Sequence, residues 1–171
     1  MRMFKFSRNA EGVRDAAPWG LPPAHAPPAV GVRAALARLY ERVDAALAPV
    51  AGACRACGRC CRFDPGGIIL FASALEMAHL VASCGTNLHA CASRCRLDGA
   101  WRCPYQDGDL CGARAVRPIG CRTYFCDAAA RALGEQVHAD ALREVRCIAE
   151  GQGPWWYGPA RVYLERGGIF C

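Results

Sequence analysis

Four thiols fall within the eight residues Cys54-Arg55-Ala56-Cys57-Gly58-Arg59-Cys60-Cys61. The spacing C-x2-C-x2-C lets three sulfurs converge on one point across two tight turns, and Gly58 permits the backbone bend that turns amides toward a bound sulfur. This is soft-metal chemistry. Buried cysteines acting as small hydrophobes would account for a lone residue but not for a run of this density. Neighbouring Cys60 and Cys61 are not expected to chelate one ion together. One of them ligates while the other serves a second metal, bridges, or stays free.

A second group stands further along: Cys103-Pro104-Tyr105, then Cys111, then Arg117-Pro118-Ile119-Gly120-Cys121-Arg122-Thr123-Tyr124-Phe125-Cys126. Pro104 and Pro118 fix the backbone beside these cysteines, and Arg117 and Arg122 can donate to thiolate or sulfide sulfur. The candidate metal ligands are therefore Cys54, Cys57, Cys60, Cys61, Cys103, Cys111, Cys121 and Cys126, with Arg117 and Arg122 as cofactor-binding residues. A thiolate set with little histidine suits a four-thiolate zinc site or an iron-sulfur cluster, and a 4Fe-4S cluster is the favoured occupant. Nothing resembles a catalytic constellation. Cys111-x5-Arg117 has phosphatase spacing, but Leu110 and Pro118 occupy positions that chemistry needs for other residues.

Taken together, these residues resemble the cysteine-cluster family known by its CxxCxxCC signature, described as zinc- or iron-chelating proteins. The shared pattern is a helix, the C-x2-C-G-x-C-C run, a middle helix, a C-P-aromatic step, and C-x5-R-P-x2-C-R-x-aromatic-x-C, covering roughly residues 32 to 130. The resemblance implies a metal-binding protein in a structural or electron-transfer role. Some larger members are linked to a 4Fe-4S cluster in protein lysine methylation, which gives one alternative. Cys84, Cys91, Cys95, Cys147 and Cys171 depart from the pattern, and metal storage or delivery would use them.

The chain has 171 residues, 53% of them hydrophobic, enough for one domain with its own core. The basic start Met1-Arg2-Met3-Phe4-Lys5 runs into polar Ser7-Arg8-Asn9 rather than the apolar core of a secretory signal. The thirteen cysteines are accordingly expected to be reduced, in a cytoplasm. No apolar run is long enough to cross a bilayer, so no membrane partner is expected. The net charge of +6 suggests nucleic acid, yet two four-thiolate zinc sites of about −2 each would bring it to about +2. Nine arginines lie between residues 54 and 126, where they can compensate thiolate charge, and no nucleic-acid partner is expected.

The elements that must position these thiols follow from pattern. Residues 1 to 30, rich in Pro and Ala, read as a flexible arm, and residues 31 to 171 as a single cysteine-cluster domain. Val32, Leu36, Leu39, Tyr40, Val43, Leu47 and Val50 form the stripe of an amphipathic helix ending near Pro49, expected to cover the cysteines. Ile68 to Phe71 reads as a buried strand or extended segment, and Ser73-Ala74-Leu75-Glu76 as a capping box opening a helix toward Gly85, with His79 a core or surface residue rather than a ligand. Asp98-Gly99 and Asp107-Gly108 read as turns in a segment that cannot build its own core and needs metal to staple it. Asp127 caps a helix with Val137, Ala141, Leu142, Val145 and Ile148 inward, stopping at Gly151. An aromatic turn at 154 to 159 then leads into a strand at Val162 to Leu164. The fold class is α+β: a small metal-stapled domain with about three helices, short strands and an irregular cysteine-rich segment. Its aromatic tail and its arm, through Phe4, Phe6 and Trp19, are the candidate surfaces for a protein partner.

Overall fold

The structure is a computed structural model that describes residues 20–23, 26–63, 68–84, 96–97 and 100–166. Gly66, Gly67, Gly85, Asp98, Gly99, Cys91, Cys95, Cys171 and the arm's Phe4, Phe6 and Trp19 lie outside the described residues.

The first helix, α1 (Val30–Leu47), buries Leu36, Leu39, Tyr40, Val43 and Leu47 at steps of three and four, as an amphipathic stripe requires. Its apolar face does not lie over the cysteines as expected. It packs instead on Ile119, Phe125, Ala130, Ala141 and Val145, which belong to α3 (Ile119–Thr123), α4 (Ala128–Ala149) and the link between them. A stripe of Leu and Val gains more from the matching stripe of a 22-residue helix than from thiols. Helix α4 starts where Asp127 predicts: its Oδ1 accepts from the amides of Ala129 at 2.8 Å and Ala130 at 3.1 Å. It stops at Ala149, two residues before Gly151 with φ +76°.

The second core is built on two strand-helix units. Strand β1 (Phe71–Ser73) leads directly into α2 (Ala74–Cys84), and β6 (Tyr157–Pro159) leads directly into α5 (Ala160–Arg166). The strands pair antiparallel with Ala72 opposite Gly158, and each first helical amide donates across to the other strand's end: Ala74 to the Trp156 carbonyl at 3.1 Å, Ala160 to that of Leu70 at 2.9 Å. Met77, Leu80, Trp156, Tyr163 and Leu164 fill the space beneath.

Of the run Ile68 to Phe71, only Phe71 joins the strand; Leu70 is buried and Ile69 is 47% exposed. One expectation is corrected here. Val162 to Leu164 is helical, because this run sits within a turn braced by Arg161 and Glu165 at i,i+4 while the edge it would have extended ends at Pro159. The capping box, in contrast, forms as read. Ser73 Oγ accepts from the Glu76 amide at 3.2 Å and Glu76 Oε2 accepts from the Ser73 amide at 3.0 Å.

Two short hairpins complete the fold: β2 (Arg96–Leu97) with β3 (Ala100–Trp101), and β4 (Gln106–Asp107) with β5 (Leu110–Cys111). The architecture among the described residues is thus α+β, with five α-helices and three two-stranded antiparallel ribbons. No helix among them is long and apolar enough to cross a membrane. The described part of the arm touches the aromatic tail. Trp156 Nε1 donates to the Gly20 carbonyl at 3.3 Å, and Pro23 and Ala26 line one depression with Trp155 and Trp156.

The two cores meet at α3. Gly120 lies so close to β1 that an added Cβ would stand 2.1 Å from the Phe71 carbonyl oxygen. Gly120→Ala should therefore cost about 2 kcal/mol or more, against about 1 kcal/mol for Asp127→Ala, compared by urea denaturation. A polar chain crosses the same junction. Thr123 Oγ1 donates to the Ile119 carbonyl, so His138 Nδ1 donates to Thr123 and Tyr157 OH donates to His138 Nε2, each at 2.9 Å. Burial lowers the His138 imidazole below its ordinary 6.5, so the native state resists the proton that the unfolded chain takes up. Wild type should lose stability relative to His138→Gln as pH falls from about 7.5 to about 5.5, through the unfolded imidazole value.

Candidate functional site

The two cysteine-bearing halves are joined through the backbone. Arg62 and Arg102 form an isolated antiparallel bridge, and the Cys103 amide donates to the Cys61 carbonyl at 2.7 Å. A turn closed by the Gln106 amide on the Cys103 carbonyl, at 3.0 Å, leads into β4, and the β4-β5 register sets Cys111 opposite Gln106. From the other side, the Cys61 amide closes a turn on the Gly58 carbonyl at 3.0 Å. Gly58 has φ +65°, and a Cβ there would stand 2.5 Å from Gln106 Nε2, so only glycine lets this loop lie on the hairpin. Ala56 also takes the left-handed conformation, φ 49°, a strained setting for a residue with a Cβ. Helix α3, held by Gly120 against β1, brings in Cys121.

The candidate ligands divide by location. Cys60, Cys61, Cys103, Cys111 and Cys121 form an inner group at the margin of the core that contains Phe63, Met77 and Tyr163. The sulfurs of Cys60 and Cys61 are 4.0 Å apart, and Cys103 and Cys111 act on the Cys61 thiol as well. This influence has a direction. The hydrogen bond from Cys61 lowers Cys60 to about 6 and Cys111 to about 6, while Cys61, bonded to Cys103, Cys111 and Cys60, is raised and keeps its proton. Burial, and then the neighbouring Cys103, Cys111 and Cys60, raise Cys121, which Arg117 partly offsets. Lowering favours the thiolate, the form that ligates metal.

Cys57 and Cys126 meet at a second, outer place. Each acts on the other's thiol, and Arg59 acts on both, lowering Cys57 chiefly through its backbone and side chain. Cys126 is raised, first by partial desolvation and then by Cys57. Cys54 is exposed and belongs to neither group among the described residues.

The two arginines separate as well. Arg117 acts on Cys60, Cys111 and Cys121 as expected of a charge beside thiolates. Arg122 does not donate to sulfur. Its guanidinium donates Nε to the Arg117 carbonyl at 2.8 Å, Nη2 to the Ala115 carbonyl and Nη1 to Asp44 Oδ2 at 2.6 Å, and it stacks 4.2 Å from the Tyr40 ring centre. With its side chain 1% exposed, each of its three nitrogens donates to a partner that holds the 114 to 117 loop against α1. An arginine two residues before an aromatic looks the same in sequence whether it faces sulfur or carbonyls.

Arg59 was the site residue hardest to read, since nine arginines share the segment and only the fold selects the one facing Cys57. Cys84, at the end of α2, feels the charges of Cys111 and Cys103 after the larger effect of burial, so it lies toward the inner group. Cys147 is exposed on α4. Among the described residues, no group of three or more His, Cys, Asp or Glu side chains is arranged so that it could hold a metal ion. The donor chemistry suits a thiophilic metal, and the 4.0 Å sulfur separation is near the edge of about 3.8 Å that a Zn–S bond of about 2.3 Å implies, but the set is not closed.

The fold and site define an α+β domain with a two-part thiol cluster on its surface and core margin. No family model, no curated protein and no solved structure matches the chain.

Arg122→Lys should destabilise the fold by about 2 to 3 kcal/mol, because the single ammonium of a lysine cannot reach the carbonyls of Arg114, Ala115 and Arg117 and the Asp44 carboxylate at once. The number of thiols that react with Ellman's reagent in the native protein should stay unchanged, since Arg122 bonds none of them.

Proposed function

We propose that the protein binds a thiophilic metal centre through the inner cysteines Cys60, Cys61, Cys103, Cys111 and Cys121, an iron-sulfur cluster in a structural or electron-transfer role. The observation that carries this is the backbone pairing of Cys61 with Cys103. It brings together two cysteine runs about forty residues apart and gathers soft donors where the apolar core thins, with Arg117 to balance their charge. When bound, the metal supplies the covalent staple that short hairpins with little apolar surface lack. The protein's own residues supply the rest. Cys60 and Cys111 are the lowered thiols of the group, Cys61 the raised one, and Gly58 seats the loop on the hairpin.

Protein isolated without oxygen should be brown, with broad absorption near 400 nm and matching iron and sulfide, a wavelength range typical of thiolate-to-iron charge transfer at about that energy. Cys121→Ser should lose most of the metal and Cys147→Ser none, and stripping the metal should expose residues 86 to 126 to protease. Colourless protein carrying stoichiometric zinc would overturn the iron assignment and leave the ligand set. Equal metal retention by the two serine variants, or unchanged protease resistance after stripping, would reject the inner group as the site.

A further inference from the structure

The described arm and the aromatic tail share one surface. The Trp156 ring lies against Gly158 of β6, where an added Cβ would stand 2.5 Å from it, and meets the Tyr163 ring at 6.0 Å on its other contact. Its position is therefore fixed. Trp156 is 5% exposed, and a buried indole N–H needs an acceptor. That acceptor is the backbone carbonyl of Gly20 in the arm, at 3.3 Å. Beside it Trp155 stays 38% exposed, nearly parallel to the Tyr157 ring at 6.3 Å and with the Arg146 guanidinium 5.7 Å over its ring. Pro23 and Ala26 line a depression of about 140 Å³ together with both tryptophans. The arm's sequence sets its shape. A residue before proline is driven from the helical region toward an extended backbone, and this acts on Leu21, Pro22, Ala26 and Pro27, each followed by proline. Residues 20–23 and 26–29 accordingly carry neither helix nor strand, and Ala29, at φ −55° and ψ 153°, is near the polyproline conformation. A polyproline backbone has no internal hydrogen bonds, so its carbonyls stay free for a donor such as this indole.

We propose that the Trp155–Trp156 depression is a binding groove for extended proline-rich segments, covered in this chain by its own arm, and that its external ligand is a proline-rich segment of a partner protein. The chemistry of the groove selects that ligand. Fixed aromatic rings give proline rings a flat wall to pack on, the Trp156 indole takes a free backbone carbonyl, and a segment already extended loses little entropy on binding. A helix or a paired strand does not fit, because its carbonyls are committed to its own hydrogen bonds. The arm shows how such a segment sits, and it sits lightly. Leu21 is 65% exposed, Pro22 and Pro23 are half-buried, and the depression beside Pro23 is not filled. A partner segment with a larger apolar side chain at that place would fill it and displace the arm. The groove lies on the tail and the arm, so it does not depend on the cysteines holding a metal.

The test uses the full chain, isotope-labelled, with an unlabelled synthetic peptide of residues 18–29 as the probe, followed by NMR through the indole resonances of Trp155 and Trp156. Both resonances should shift and saturate as peptide is added. The double variant Pro22→Gly/Pro23→Gly loosens the arm, and it should bind the peptide about tenfold more tightly than wild type, because a tethered arm competes at an effective concentration on the order of millimolar. Adding Trp155→Ala to that variant should weaken binding by about tenfold or more, as loss of an aromatic anchor implies, with the urea midpoint close to that of its parent. A peptide with glycine in place of its prolines should not saturate the double variant, a comparison that needs no change in the protein. No saturable binding to the double variant would overturn the proposal, as would a glycine peptide that binds as well as the proline one. Equal affinity in wild type and double variant would remove the arm from the groove and overturn it too. Concentration-dependent dimerisation of wild type that Trp155→Ala abolishes would make a second copy's arm the occupant and reject the assignment to a partner protein.

Discussion

Glu76 is a carboxylate at 1% exposure, and the packing around it depends on that burial being matched by donors. Taking a carboxylate from water costs several kcal/mol unless hydrogen bonds replace the solvent. Here Oε2 accepts from the Ser73 amide and hydroxyl and Oε1 accepts from the Ile119 amide at 2.8 Å, with Arg122 near enough to add its charge. Burial still raises the carboxyl above its ordinary value, so the compensation is incomplete. One side chain thus caps α2, fixes the end of β1 and seats the first amide of α3. Because α3 carries Cys121 and Arg122, the position of the thiol group's last member is set from the core outward rather than by the cysteines themselves.

The other thiols are placed by short-range backbone bonds. The Cys61–Cys103 pairing, the turn at Gly58 and the β4-β5 register each fix one or two residues, and none buries much apolar area. Such segments open easily unless something else ties them. The contrast between a packed α1-α4 frame and a thiol-bearing rim is what would make a bound metal useful under the proposed function. It also places the thiols where a metal can reach them.

Helices were legible because periodicity and caps are local: the α1 stripe, the Ser73–Glu76 box and Asp127 all formed as their spacing required. Elements decided by distant partners were not. Val162 to Leu164 has strand-like composition, yet the strand it follows is already closed by Pro159 and the chain turns into helix. The α1 stripe could be read as apolar, but nothing local said that α4 rather than the cysteines would cover it. The eight candidate ligands were visible as types and spacing, while the gathering of five of them into an inner group depends on the Cys61–Cys103 bridge, a contact between segments about forty residues apart. Arg122 was legible as a charge near cysteines and misjudged in role, since the carbonyls it serves come from backbone geometry that composition does not encode.

The central claim is that the inner thiols, and not oxygen or nitrogen donors, form the metal centre. X-ray absorption at the edge of the bound metal tests it most directly, in anaerobically isolated wild-type protein. The account predicts a first shell of sulfur alone at about 2.3 Å, with a short metal-metal distance added if the centre is an iron-sulfur cluster. A shell dominated by oxygen or nitrogen at about 2.0 to 2.1 Å would contradict it.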